Sequence, residues 1–507
     1  MDISNWIAHR AAWSPGKVAL RFEGQEVTYA QLEERVARLA GGLADELGVG
    51  RGDRVAYLGW NSPALLELLF ACARLGAIFV PLNARMTVEQ HRPFLSNCQP
   101  RCLVVESVFH QHVERCLEGR ERVSIVLFGG SSPEESGGLK WEVIVGSDNP
   151  RPTNTKLPLS TPLLIAYTSG TTGVPKGALL TQEALFYNAM NATAAFDLTS
   201  RDEGLTVLPM FHVGGMNIHT TPALHAGATV TIHRQFDPAR ALQEIEQRRI
   251  TLLLAVPPAA RALISHPDWE TTDISSLRCV GTGATVVPPD VMRPWFERDV
   301  PVTQIYGLTE TCPIAIVVPL EETERKLGSV GKPVLYCQAR VIGENRNGMR
   351  TGERGEIVLR GPNLLTEYWM NPEATKEAFI EGWFRTGDVG HVDEEGYFYV
   401  DDRIKDIIIV GPSNVYPADL ERVLAECNGI VEAAVVGRPD PELGEVPVAC
   451  VVLKAGHSMS VNQVKALFEG QLAPYQHPRD VVFMDSLPHA ALGKVQKSLL
   501  REQVKGT

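Results

Sequence analysis

The order of apolar and polar positions predicts alternating helices and strands over the first part of the chain. Thr28-Tyr29-Ala30-Gln31 has the form of a capping box, and Leu32, Val36, Leu39 and Leu43 then recur at the spacing of one helix face. Residues 55–58 read as a buried strand. Asn61-Ser62-Pro63 opens a second helix over Leu65, Leu66, Leu68 and Leu69, with proline where a missing N–H costs nothing, and residues 77–82 read as the next strand. The pattern returns where Asp237-Pro238 caps a helix carrying Leu242 and Ile245, ahead of the apolar run 252–256 and Pro257-Pro258. Such β-α-β alternation predicts a parallel or mixed sheet covered by helices. Ligands of these sheets sit outside the carboxyl ends of strands. Three loops follow strand-like runs in that way: after 163–167, after 277–280 and after 302–305.

Past residue 400 the texture changes. Residues 407–410, 430–436, 446–453 and 481–484 read as short strands, with helical patterns over 418–427, 461–472 and 495–503. The predicted fold is therefore α/β, with a large N-terminal domain of mixed sheets layered with helices over residues 1–402. A small α+β domain follows over 403–507, the boundary falling at Asp402-Arg403-Ile404-Lys405.

Composition narrows the functional classes. A chain of 507 residues exceeds what one core usually supports. Its net charge of -12, with no massed Lys and Arg, argues against a nucleic-acid partner. The nine cysteines are scattered. Only Cys98 and Cys102 lie close together, a poor zinc spacing without neighbouring histidine, so they read as small buried hydrophobes in a reducing compartment. Met1-Asp2-Ile3-Ser4-Asn5-Trp6 lacks the basic start and apolar run of a signal peptide, and no stretch approaches the ~20 apolar residues of a bilayer span. The expectation is a cytoplasmic protein with no integral membrane association; a homodimer stays open.

The densest chemistry lies in the loop 167–177, Tyr-Thr-Ser-Gly-Thr-Thr-Gly-Val-Pro-Lys-Gly. Its glycines let backbone N–H groups approach phosphate oxygens, its hydroxyls add donors, and Lys176 adds positive charge. A Walker A loop would need Gly at Pro175 and Ser or Thr at Gly177. The bland alternative, a polar surface turn, poorly accounts for five hydroxyl residues among the nine from Tyr167 to Pro175.

Five more motifs follow in order: Gly281-Thr282-Gly283-Ala284-Thr285, Tyr306-Gly307-Leu308-Thr309-Glu310, Gly382-Trp383-Phe384-Arg385-Thr386-Gly387-Asp388, Asp402-Arg403-Ile404-Lys405-Asp406 and Leu492-Gly493-Lys494-Val495. With the 167–177 loop they resemble the signature set of the adenylate-forming superfamily, which holds acyl-CoA synthetases, adenylation domains of peptide synthetases and firefly-type luciferases. The resemblance implies that ATP and a carboxylic acid form an acyl-adenylate, with Mg²⁺ as cofactor and CoA as co-substrate. It implies that Thr168, Ser169, Gly170, Thr171, Thr172, Gly173 and Lys176 grip the pyrophosphate. Thr309 would bond the α-phosphate, and Glu310 would hold the metal. Gly283, Ala284, Thr285, Tyr306 and Gly307 match the adenine-holding elements, and Asp388 and Arg403 the ribose contacts. Lys494 matches the catalytic lysine, and Lys405 the hinge, at 403–405, about which a mobile small domain turns to admit the thiol.

The acyl pocket is expected near Phe211, His212, Gly214, Gly215 and Met216, with His212 as a gate or, alternatively, a satisfied structural histidine. Glycines and methionine suit an apolar, adaptable cavity, so the acid is expected to be hydrophobic: an aryl acid or a medium- or long-chain fatty acid. Gly411-Pro412-Ser413-Asn414-Val415 departs from the Gly-Gly form common after the hinge, because Pro412 removes an N–H where the thiol should approach. Asp401-Asp402 also puts extra negative charge where relatives often carry Lys-Asp. The leading expectation is an AMP-forming acyl-CoA synthetase. Alternatives are a stand-alone adenylation enzyme that loads a carrier protein in trans, and an inactive relative, the latter disfavoured by retention of Lys176, Glu310, Asp388 and Lys494.

Overall fold

The computed structural model describes residues 2–119, 123–130, 138–168, 176–283, 287, 289–343, 345–489 and 493–505. The chain divides into two compact units. One comprises Met1–Gly283, Val287–Ala339 and Leu359–Phe384, and the other Arg340–Val358 and Arg385–Thr507.

Among the described residues, sheets of nine and eight strands with covering helices build the first unit. The expected capping box at Thr28 forms and opens the helix Tyr29–Leu47, whose Leu32, Val36, Leu39 and Leu43 are buried. The helix Pro63–Leu75 buries nearly every side chain, which explains why its sequence is apolar on all sides rather than along one stripe. In the eight-stranded sheet, Arg54–Leu58 lies parallel between Ile78–Pro81 and Cys102–Glu106. In the nine-stranded sheet, Leu252–Leu254, Cys279–Gly283 and Val302–Tyr306 are parallel neighbours. Parallel strands buried on both faces give the continuous apolar runs seen in the sequence.

Antiparallel pairs interrupt this order at several places, one of them beside the phosphate-loop candidate. Pro162–Thr168 and Lys176–Thr181 pair antiparallel. The seven intervening residues are too few for a parallel crossover, which takes about a dozen or more.

The second unit holds the hairpin in which residues 388–392 pair with Phe398–Arg403, and a five-stranded sheet in which Gly444–Leu453 pairs with Ile430–Asp440, Ile408–Val410 and Asp480–Phe483. Helices Pro417–Ala425, Val461–Ala466 and Lys497–Val504 cover it through Leu420, Val423, Leu424, Val464, Leu500 and Val504. Among the described residues no helix is long and apolar enough to cross a membrane. None forms a disulfide, and Cys98 and Cys102 are fully buried.

Candidate active site

The phosphate-loop candidate joins the two antiparallel strands, with Thr168 opposite Lys176 and Tyr167 opposite Gly177. The Thr168 hydroxyl donates to the Lys176 carbonyl at 3.3 Å, closing the base of the loop. Ser169, Gly170, Thr171, Thr172 and Gly173 lie outside the described residues, as do Ala284 and Thr285. Tyr167 is held from behind: its ring stacks on Phe94 at 4.6 Å and its hydroxyl donates to Asn97 Oδ1 at 2.6 Å.

Glu310 reaches the same neighbourhood from the other sheet. Cys279–Gly283 and Val302–Tyr306 run side by side, Gly283 opposite Ile305, so Gly283 and Tyr306 both stand at carboxyl ends of adjacent strands. Beyond Tyr306 the chain turns through Gly307, where a Cβ would meet the Pro313 carbonyl at 1.6 Å; only glycine fits. The next turn, Thr309–Thr311, is tied by the Thr311 hydroxyl, which accepts from Leu308 N–H at 2.9 Å and donates to the Pro313 carbonyl at 2.8 Å. Thr309 stays half-buried, whereas Glu310 is only 7% exposed.

A residue that sequence reasoning missed connects these groups. Tyr368 lies on the short strand Glu367–Tyr368, paired with Lys176–Thr181. Its hydroxyl donates to Glu310 Oε1 at 2.7 Å, and Lys176 Nζ sits 5.6 Å from its ring centroid. Burial, then the Glu310 charge, raises the phenol pKa, so Tyr368 remains a neutral donor. The same segment binds both sides: Thr366 N–H donates to the Leu179 carbonyl at 3.0 Å, Leu365 N–H to the Glu310 carbonyl at 2.8 Å, and Asn363 Nδ2 to the carbonyls of Thr311 and Ile314 at 2.8 and 2.9 Å.

The acyl-pocket candidates occupy the start of the helix Val213–Asn217. His212 caps it, its Nδ1 accepting from Gly214 N–H at 3.3 Å, and burial lowers its pKa to about 4. The ring is thus neutral and already serves a structural purpose. Phe211 and Gly214 are half-buried, Gly215 and Met216 buried. Asparagines fix this segment. Asn61 Oδ1 accepts from Met210 N–H at 2.7 Å, while its Nδ2 donates to the carbonyls of Leu208 and His233 at 2.9 and 3.1 Å. Asn188 joins the Asn217 carbonyl, at 2.6 Å, to Ile314 N–H, at 3.1 Å. Asn61 was visible in the sequence only as part of a helix start.

In the second unit, Asp388 and Arg403 are cross-strand partners, with Arg403 Nε 3.0 Å from Asp388 Oδ1. Lys405 and Asp406 follow in the turn Ile404–Asp406. The pKa of Lys494 is lowered to about 8, first by desolvation and then by the Arg403 charge, with Lys405 adding to it and Asp388 and Asp406 opposing. Desolvation also lowers Lys405, while Arg501, 2.5 Å from Asp406, helps to keep that carboxylate ionised. Four cations, Arg403, Lys405, Lys494 and Arg501, crowded around two carboxylates suit a polyanionic ligand. Asp401, the unexplained extra charge, is occupied by His391 at 2.9 Å and Arg354 at 3.3 Å. Asp402 accepts from Ala418 N–H at 2.9 Å, at the start of the helix Pro417–Ala425. Pro412 is accommodated as well. Val410 pairs with Ser413, leaving Gly411-Pro412 as a two-residue hairpin turn with Gly411 at φ 56°, a form in which the second position needs no positive φ.

Fold, motif order and these charged clusters describe a nucleotide-binding α/β enzyme. The chain belongs to the AMP-binding enzyme family, whose model matches residues 7–369; the AMP-binding enzyme C-terminal domain matches residues 419–494. It is 46% identical to an indoleacetate–CoA ligase of Aromatoleum aromaticum, covering 99% of this chain and 98% of that protein. It is 39% identical to a feruloyl-CoA synthase of Amycolatopsis, covering 99% of both. Its fold matches the ATP-bound crystal structure of MatB from Rhodopseudomonas palustris with a TM-score of 0.91 at 31% identity, over 100% of this chain and 99% of the other. The chain is an AMP-forming acid–thiol ligase of the adenylate-forming superfamily that binds ATP or AMP.

Proposed function

We propose that this ligase activates a hydrophobic acid, an aryl acid or a medium- or long-chain fatty acid, and passes the acyl group to CoA. A carboxylate oxygen attacks the α-phosphorus of ATP and the bond to the β-phosphate breaks, releasing pyrophosphate. The CoA thiolate then attacks the acyl carbonyl, and AMP leaves with the electrons of the carbon–oxygen bond. The observation that carries the reading is the convergence of Lys176, Tyr368 and Glu310 at the base of the 169–175 loop.

The first step brings two anions together, so charge neutralisation and alignment are the residues' main work. Lys176 and the loop would take the pyrophosphate, and Thr309 the α-phosphate. Glu310 would hold Mg²⁺, for which a carboxylate oxygen is a suitable hard ligand; the bound ion would offset phosphate charge. Tyr306 and the strand end at Gly283 would hold adenine. Asp388 offers two acceptor oxygens for the ribose diol, beside Arg403. Lys494 would stabilise charge on the carboxylate and α-phosphate oxygens. Residues 403–405 would form the hinge between domains 1–402 and 403–507, with Lys405 serving the second step. Phe211, His212, Gly214, Gly215 and Met216 would line the acyl side. Aryl acids are supported by the indoleacetate and feruloyl names of the two relatives.

Pyrophosphate release with indole-3-acetate, ferulate, hexanoate, palmitate and acetate, followed by thioester detection with and without CoA, tests the reading. Burial of a ring or chain is worth roughly 1.5–3 kcal/mol, so hydrophobic acids should exceed acetate by about tenfold or more in kcat/KM. Acetate matching them would refute the hydrophobic pocket. Release without any CoA-dependent thioester would refute CoA as acceptor and favour a carrier protein. Lys494→Ala should cripple pyrophosphate release more than thioester formation from supplied acyl-adenylate; equal losses would overturn its role.

A further inference from the structure

Two neighbouring helices of the first unit, Val88–Cys98 and His110–Leu117, bring together three residues that the adenylation chemistry does not use. His112 and Cys116 are four positions apart and share one helix face. His91 comes from the other helix. One ligand atom from each of the three lies within 4.8 Å of the others. His91 and Cys116 are each 1% exposed, whereas His112 is half-buried and opens the cluster towards solvent.

The hydrogen bonds set the donor atoms. His91 Nε2 is 3.1 Å from the Asn83 carbonyl, which requires an N–H there and leaves the lone pair on Nδ1. That Nδ1 faces His112 Nε2 at 2.8 Å. An imidazole anchored through its far nitrogen to a backbone carbonyl, with its near nitrogen aimed into a cluster, is the usual arrangement of a metal ligand. The Cys116 thiol lies 3.9 Å from the Val88 carbonyl, at the start of the helix that carries His91.

We propose that His91, His112 and Cys116 bind a thiophilic divalent cation of the Zn²⁺ type, with water as fourth ligand. Two imidazoles and one thiolate select such an ion over Mg²⁺ or Ca²⁺. With metal–nitrogen distances of about 2.0–2.1 Å and a metal–sulfur distance of about 2.3 Å, the two nitrogens must part by about half an ångström and the sulfur close in by at most about 1.3 Å. Within the cluster, His112 moves its proton from Nε2 to Nδ1 through solvent and Cys116 loses its thiol proton. One proton therefore leaves per ion bound. Arg92, beside His91, is directed at Glu89 and Glu118, 3.7 and 3.6 Å away, and the thiolate supplies compensating charge. The ion clamps the helix whose Phe94 and Asn97 hold Tyr167, next to the phosphate loop.

The test uses the full chain, stripped of metal with a chelator and titrated anaerobically with Co²⁺. One equivalent should bind with a near-ultraviolet thiolate-to-cobalt band and visible bands of four-coordinate cobalt, both displaced by Zn²⁺. Cys116→Ser should lose the near-ultraviolet band, and His112→Gln should weaken binding by about tenfold or more, with pyrophosphate release in each within about twofold of wild type. Absence of the band in the wild type, or its persistence in Cys116→Ser, overturns the proposal. Should Cys116→Ser fail to fold, unchanged cobalt affinity in His112→Gln overturns it equally, since half-exposed His112 tolerates substitution.

Discussion

Replacing Lys494 by arginine should erase the alkaline fall of the adenylation rate. Lys494 has a pKa lowered to about 8 by desolvation and by the Arg403 and Lys405 charges. If its ammonium form stabilises the charge that builds on the α-phosphate, activity is complete well below that pKa and is lost as pH rises through about 8. The protonated fraction falls from about 90% at pH 7 to about 10% at pH 9, so kcat/KM for ATP should drop about ninefold over that interval. Pyrophosphate release without CoA is the suitable assay, because thiol ionisation then contributes nothing. Arginine stays charged throughout the range, so Lys494→Arg should show a lower plateau but no alkaline limb. Lys405→Met, which removes one repelling cation, should move the wild-type limb to higher pH. A profile flat to pH 9.5 in the wild type, or the same limb in Lys494→Arg, would refute the reasoning.

Other contacts give further expectations. Tyr368→Phe keeps the ring under Lys176 but removes the donor to Glu310; a hydrogen bond to a charged group is worth about 1.5–3 kcal/mol, so pyrophosphate release should fall by about tenfold or more with little loss of fold. An unaffected rate would remove Tyr368 from the site. Asn61→Ala strands the buried partners at Leu208, Met210 and His233 and should lower unfolding stability by about 2–4 kcal/mol in urea titrations. Gly411→Ala forces a left-handed conformation on alanine and should cost about 1–2 kcal/mol, whereas Pro412→Ala should leave CoA-thioester formation within about twofold. A large loss of thioester formation in Pro412→Ala would show that proline is needed beyond the turn.

Much of the candidate site was legible because the proposed chemistry depends on short segments. Glycines, hydroxyls and a lysine proposed to surround phosphates must be contiguous in sequence, and the turn Thr309–Thr311 is built by its own neighbours, Gly307 and Pro313. The strands and helices were legible where burial imposed a period, as in Tyr29–Leu47, or an unbroken apolar run, as in Arg54–Leu58. The antiparallel pairing of Pro162–Thr168 with Lys176–Thr181 was less evident, since an apolar run does not state the direction of its partner. Tyr368 and Asn61 were missed because nothing local distinguishes them. Tyr368 is 58 positions from Glu310, and Asn61 is 149 from Met210.

By itself, then, the sequence determined the class of fold, the ordered motifs and hence the adenylating chemistry, because each is encoded in side-chain periodicity or in a few adjacent residues. Only the tertiary structure decided how those motifs are held: Tyr368 between Lys176 and Glu310, Arg403 against Asp388, Asp401 beside His391 and Arg354. It also decided that His91 would meet His112 and Cys116. Hydrogen bonds and charge pairs act over a few ångströms in space, and the chain separation between their partners leaves no local pattern from which to read them.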